Sequence, residues 1–336
     1  MSVAQRNINS EAFALAQKSG VTLTVLGCGT LGIAILSGIF ASLAESKSHS
    51  AYPPESGTAT PSDSVPQQKI PTKFIACVRR PESAKRIHKS LDEFNQQLTV
   101  LQNDNINGVQ EAEVVILGCK PYMLQDVLAV PGMREALSGK LLISILAGVT
   151  VPQIEQTLYP ADSSVPEQER CRIVRAMPNT AALVRESMTV IGTSTPPLPE
   201  DWDTLVAWIF SRVGRVVTLP PAMMDVSTSL AGSGPAFVAL VMEAMADGAV
   251  AMGLPRAEAQ MMAAQVMRGT AGMVQHGEHP ALIREKVSTP GGCTIGGLLV
   301  LEEGRVRGTL ARSVREATVV ASQLGQGIQG VNGTRF

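Results

Sequence analysis

VTLTVLGCGTLG, from Val21 to Gly32, is the stretch on which the reading of this chain turns. Its first six residues, Val21 to Leu26, are β-branched or apolar with two threonines, a strand composition. Gly27, Gly29 and Gly32 follow at G-x-G-x-x-G spacing, and apolar residues then recur at helical intervals (Leu31, Ile35, Leu36, Ile39, Phe40, Leu43). A strand, a tight glycine turn and a helix start form a dinucleotide-binding turn. The first glycine permits the turn and the second admits a pyrophosphate to the backbone. The third lets helix and strand approach, and the helix N-terminus offers free N–H groups. A glycine-rich packing turn would carry the same residues; the strand before and the helix after favour the dinucleotide. Hydropathy alone would read the 24 uncharged residues 21–44 as a membrane span, but four glycines and a strand-like first half argue against it.

Working outward, residues 45–73 are rich in Ser, Pro and Thr and read as a disordered insertion. Strands are expected at 74–78, 114–117, 141–146 and 172–175, with helices at 82–94 and from about 123. Continuous apolar strands alternating with helices predict an α/β fold, a Rossmann-type doubly wound, mostly parallel sheet. After Pro220-Pro221 strand signals cease. The helix from about Pro235 is apolar on most of its surface, with only Glu243 and Asp247 charged, so an all-α domain covered by a partner subunit is expected. The expected organisation is an extension at 1–20, a dinucleotide-binding domain at 21–220, a helical dimerisation and substrate domain at 221–328, and a tail at 329–336.

The end of the second strand selects the cofactor. From Gly32 to Arg79 is 47 positions; subtracting the 29 residues of 45–73 leaves 18, close to where an acid would hold a ribose 2′-OH. Arg79 and Arg80 stand there instead, favouring the 2′-phosphate of NADP(H) over NAD(H), although two solvated arginines at a helix start would look the same. Cys119-Lys120-Pro121 and Ala147-Gly148 end later strands on the edge where such sheets bind ligands.

The run VSTPGGCT, Val287 to Thr294, leads into another helix. Two glycines, a proline and hydroxyls before a helix make an anion nest suited to a carboxylate, with Thr289 and Thr294 able to add hydroxyl hydrogen bonds. Thr capping and a Pro-Gly turn would give the same pattern. A threonine is a poor acid, so its proton role would be relay or orientation. After Asp225 the only lysine is Lys286 and the only histidines are His276 and His279. With so few bases, reduction of a C=N bond that is already cationic fits better than alcohol oxidation.

Composition narrows the classes further. Over 336 residues, Lys+Arg is 28 and Asp+Glu 29, so there is no basic footprint for nucleic acid or membrane. Twelve aromatics leave few stacking platforms, while 45% hydrophobic against 17% charged residues points to burial in an oligomer. The five cysteines form no CxxC pair and the four histidines no ligand set, so a reduced cytoplasmic setting without a metal is expected. Residues 1–20 contain no apolar signal segment.

With GCGTLG (27–32), CKP (119–121), LAGVT (146–150), RAMPNTAALV (175–184), AGSGPAF (231–237) and VSTPGGCTIGGLLVLE (287–302), the chain resembles the pyrroline-5-carboxylate reductases. The resemblance implies NAD(P)H-dependent reduction of 1-pyrroline-5-carboxylate, a cyclic imine carboxylate, to L-proline, by an interlocked homodimer that can form larger rings, up to a decamer. It places Leu26, Gly27, Cys28, Gly29, Thr30, Leu31 and Gly32 on the pyrophosphate, and Arg79 and Arg80 on the 2′-phosphate. Asn105, Cys119, Lys120, Pro121 and Ala147 would lie along the cofactor. Thr289 and the backbone of Gly291, Gly292 and Cys293 would bind the carboxylate, and Thr294 would donate or orient the proton. Cys293 stands where Thr or Ala is usual, and Ala181 and Ser187 replace the common Pro and Gly. These departures leave open a substituted pyrroline-carboxylate as substrate. A hydroxyacid dehydrogenase-like enzyme using Lys286 or a histidine, and a non-catalytic NADP(H) sensor, are the competing readings.

Overall fold

The structure, a computed structural model, describes residues 20–49, 70–161, 163–326, 328 and 331. Eight strands form one sheet: β1 Val21–Leu26, β2 Pro71–Val78, β3 Leu98–Gln102, β4 Val114–Leu117, β5 Leu141–Ser144, β6 Arg172–Met177, β7 Ser187–Gly192 and β8 Gly214–Leu219. Their order is β3-β2-β1-β4-β5-β6-β7-β8, parallel from β3 through β6. The step from β6 to β7 is antiparallel, and β7 and β8 are parallel to each other.

The helices of the sheet unit are α1 Thr30–His49, α2 Pro81–Ser90, α3 Asn105–Gln110, α4 Leu124–Leu128, α5 Met133–Ala136, α6 Val151–Leu158, α7 Glu200–Ser211 and α8 Met224–Ser227. Two apolar layers cover the sheet. On one face Ile35, Leu36, Ile39 and Phe40 of α1 and Val206, Ile209 and Phe210 of α7 meet Leu23, Val25, Ile116 and Ile143. On the other, Leu128, Leu137, Ile154 and Leu158 meet Leu26, Val115, Leu117 and Leu142. Phe40 stacks on Phe94 with centroids 4.5 Å apart and meets Phe74 edge-on at 4.6 Å. The charge-free run 21–44 is thus a buried strand, a turn and a core helix.

Several sequence expectations need correction. β3, β7 and β8 were not foreseen, which makes 114–117 the fourth strand and not the third. In β3 only Leu98 is buried, because an edge strand has little apolar surface to conceal and leaves no apolar run to read. The helix expected over 82–94 stops at Ser90 and is followed by a single 3-10 turn at Asp92–Phe94. Residues 45–49 continue α1 and 71–73 belong to β2, so neither end of 45–73 is irregular; extending an established helix costs little beyond its nucleus. The rest of that segment, at 50–69, lies outside the described residues, as do 1–19 and most of the tail.

The chain packs as two compact units. One runs through Gly232 and takes the chain back from Val320; the other is Ser233–Val319. The break follows Gly232 because α8 and the π-helical turn Thr228–Gly232 pack on the sheet, with Met224 buried against Met177 and Val190. The second unit holds α9 Gly234–Ala251, α10 Arg256–Gln275, α11 Pro280–Val287, α12 Cys293–Glu303 and the start of α13 Val306–Gly325. Small residues Ala246, Ala259 and Ala263 bring α9 and α10 together. Ala246 is the only buried residue of α9, and Leu240, Met261, Leu299 and Val300 are each more than half exposed. An apolar surface of that extent marks an interaction face.

Candidate functional site

In the sheet unit, the residues expected along a dinucleotide converge on one edge. The order reverses between β1 and β4, whose carboxyl ends lie side by side, with Gly118 N donating to Leu26 O at 2.8 Å. Such a switch point is where doubly wound sheets open a crevice for ligands. Gly27 has φ +76°, and a Cβ there would come within 2.8 Å of Cys119 Cα and N. A Cβ at Gly32 would press on Cys28 Sγ and Val25 Cγ1 at 3.0 Å, whereas above Gly29 the nearest such neighbour is Gly27 O at 3.9 Å. The three glycines therefore divide the work as turn, open approach and helix–strand contact.

Gly27 N and Cys28 N both donate to Cys77 O at 3.0 Å, which fixes the turn against β2. Thr30, Leu31 and Gly32 open α1, so their N–H groups have no intrahelical partner, and the first turn holds no acid to oppose a phosphate. Cys28 lies beneath, and burial pushes its thiol up to about 12.

Arg79 and Arg80 come directly after β2, at the start of α2, and both are exposed. Among the described residues neither makes an ion pair or a side-chain hydrogen bond. Asn105 opens α3 beyond β3 and is half-buried. Cys119 is half-buried beyond β4, with Lys120 and Pro121 exposed beside it, and Ala147 is exposed beyond β5. Side by side, these ends supply a glycine turn with free N–H groups, two guanidiniums without a partner among the described residues, and a row of small or polar side chains. That set fits a phosphorylated dinucleotide.

The second cluster belongs to the helical unit. Gly291 has φ +69° and Gly292 is the N-cap of α12, with Gly292 N donating to Thr289 O at 3.0 Å. Gly292 leaves no room for a Cβ because Thr289 Oγ1 lies over it. Thr294 is the second residue of α12 and is half-buried, while Thr289 and Cys293 are exposed. Hydroxyls and unpaired N–H groups thus gather at the start of an 11-residue helix.

The other candidate bases each have one partner, and both histidines use Nδ1 for it. Lys286 Nζ pairs with Glu278 Oε2 at 2.5 Å, His276 Nδ1 lies 2.7 Å from Gly272 O, and His279 Nδ1 caps α11 by accepting from Ala281 N at 3.2 Å.

Two residues of the RAMPNTAALV motif receive their surroundings from the fold: Asn179, in the Met177-Pro-Asn-Thr180 run that closes β6, and Arg175. Asn179 is buried beyond β6; its side chain donates to Ala231 O at 2.8 Å and accepts from Ala181 N at 3.0 Å, tying the strand end to the π-helical turn. Arg175, in β6 opposite Ser144, is 7% exposed with no hydrogen-bond partner for Nε or Nη2 among the described residues, and burial lowers its pKa against the smaller opposing effect of Asp225. An arginine set between Val174 and Ala176 in the middle of a strand is the sequence signal for it.

Cysteine chemistry offers a direct check. Burial holds the thiols of Cys28 and Cys77 at about 12 and that of Cys171 at about 11, whereas Cys293 is exposed. Limited iodoacetamide treatment followed by peptide mapping is expected to label Cys293 first. Equal labelling of Cys28 would contradict its burial beneath the glycine turn.

Comparison with known proteins follows the same division. Residues 221–324 match the family model for pyrroline-5-carboxylate reductase dimerisation, and 22–148 match that for NADP oxidoreductase, coenzyme F420-dependent. The chain is 61% identical to a pyrroline-5-carboxylate reductase of Lophium arboricola over 95% of its own length and 98% of the relative's. It is 53% identical to that of Neurospora crassa, over 94% and 97%. Among solved structures, a Plasmodium falciparum pyrroline carboxylate reductase with NADP bound shares the fold at a TM-score of 0.70 and 23% identity, over 91% of this chain and 98% of that one.

Proposed function

The chain belongs to the pyrroline-5-carboxylate reductase family, and from that membership and the two clusters above we propose how its residues carry out the reaction. The enzyme reduces 1-pyrroline-5-carboxylate to L-proline with NAD(P)H, the last step of proline biosynthesis. When bound, the cofactor supplies a hydride from nicotinamide C4 to C5 of the ring imine. The remaining tasks fall to the protein.

Leu26 to Gly32 hold the pyrophosphate through the N–H groups of the turn and the first turn of α1. Arg79 and Arg80 take the 2′-phosphate, so NADPH is preferred over NADH. The absence of an acid at the end of β2, and two guanidiniums with no partner among the described residues, support that preference. Asn105, Cys119, Lys120, Pro121 and Ala147 line the remainder of the cofactor. Thr289 and the backbone of residues 291–293 hold the substrate carboxylate at the start of α12. Thr294 Oγ orients the imine nitrogen or relays its proton. Hydride on C5 and a proton on nitrogen turn the C=N bond into the C–N bond of proline, and a substrate that arrives as the iminium already carries that proton.

The exposed apolar faces of α9, α10 and α12 are covered by a second copy, and the match to the family's dimerisation model supports this. Assembly of dimers up to a decamer, and a cytoplasmic setting consistent with five unpaired cysteines, belong to the same proposal. The observation that carries the reading is that one chain holds both a GxGxxG turn at the β1/β4 switch point and, in its helical unit, the glycine-threonine nest of α12.

The test is purified protein with NADPH or NADH and 1-pyrroline-5-carboxylate, followed by cofactor absorbance and proline detection. Proline formation with cofactor oxidation is expected, faster with NADPH at limiting cofactor. Cofactor binding without turnover would favour a sensor, and turnover confined to a ring-substituted pyrroline would move the substrate assignment.

A further inference from the structure

The loop after β5 is held from behind by the last turn of α13. Gly148 has φ +74°, and a Cβ there would stand 3.1 Å from Gly325 N and 3.2 Å from Ala321 O. A Cβ on Gly325 would run into Gly148 O. Two glycines thus let the end of a helix lie directly on the loop backbone, and Ala321 and Gly325 are both buried there.

Gln153 completes the contact. Its Oε1 accepts from Thr150 N at 2.8 Å and from Thr150 Oγ1 at 2.9 Å, forming the capping box of α6. Its Nε2 donates to the carbonyl of Gly325, one of the groups that a helix C-terminus leaves without an intrahelical partner. One amide therefore caps the start of α6 and the end of α13 together. Ala147, immediately before this contact, is exposed on the ligand edge of the sheet.

We infer that Gln153 is a positioning residue for the reduction: with the glycine end of α13 it sets the height of the 146–150 backbone and so the seat of the cofactor at Ala147. The inference rests on the reading that this loop borders the dinucleotide. Both ends of the amide are needed. A glutamate at 153 keeps the acceptors for Thr150 but loses the donor, and it sets a carboxylate against the Gly325 carbonyl. An alanine at 325 wedges the helix off the loop without touching Gln153.

The experiment titrates NADPH by fluorescence and measures steady-state rates on the full chain for wild type, Q153E, G325A and the double variant, with Tm recorded for each. Each single substitution is expected to raise the Kd and KM for NADPH about fivefold, the size of one lost hydrogen bond, with kcat at saturating NADPH nearly unchanged. The double variant is expected to be no weaker than the weaker single, because both act through one contact. G325A carries the test alone if Q153E does not fold. A wild type that fails to bind NADPH overturns the cofactor reading itself. A wild type that binds, beside variants with unchanged Kd, overturns the positioning role, and so does a lowered Tm with unchanged KM. Losses that multiply in the double variant overturn the shared contact.

Discussion

Thr294→Ala is expected to lower kcat by about a hundredfold, the scale of losing one positioned proton-handling group, while the Kd for NADPH stays where it is. Thr294 is the second residue of α12, half-buried, in the unit that does not contain the phosphate turn. Its side chain makes no hydrogen bond within the described residues, so truncation removes no internal support. Thr294→Ser keeps the hydroxyl and is expected to recover most of the rate. Steady-state kinetics with the imine, alongside an NADPH titration, separate the effects. Equal losses in kcat and cofactor affinity would make Thr294 a structural residue.

The second large effect is expected from replacing Arg79 and Arg80 together with alanine. Each guanidinium is exposed and has no partner among the described residues, so no contact of the described fold is lost. A bound 2′-phosphate, by contrast, loses two charge-assisted partners, and the Kd for NADPH is expected to rise by about two orders of magnitude. NADH carries no such phosphate and should bind as before, so the cofactor preference inverts. Raising the ionic strength should narrow the wild-type preference as well, because the contact is exposed and screened. An unchanged NADPH to NADH ratio in the double variant would remove both arginines from the site.

These expectations stand on different parts of the chain with different legibility. The strand, turn and helix of 21–44 could be read directly, because every step of that unit depends on local rules: β-branched residues, a positive-φ glycine and helical spacing of apolar residues. The edge strands β3 and β8 could not be read. Their side chains are mostly half-buried or exposed, so burial imposes no apolar pattern on them. The insertion was misjudged at both ends for a related reason: low-complexity composition says what cannot form a core, but not where a neighbouring helix or strand stops. The motif RAMPNTAALV marks Arg175 and Asn179 but gives neither a role, because their weight comes from burial, and burial belongs to the folded neighbourhood and not to the residue.

By itself the sequence determined the family, the phosphate turn, the arginines at the end of the second strand and the threonine-glycine nest, since each is a short run whose chemistry is complete within a few residues. Only the tertiary structure decided that five separate strand ends lie along one edge of the sheet and that Gln153 joins two helix ends 172 residues apart. Contacts of that separation depend on how the chain closes on itself, and no local pattern of side chains encodes them one at a time.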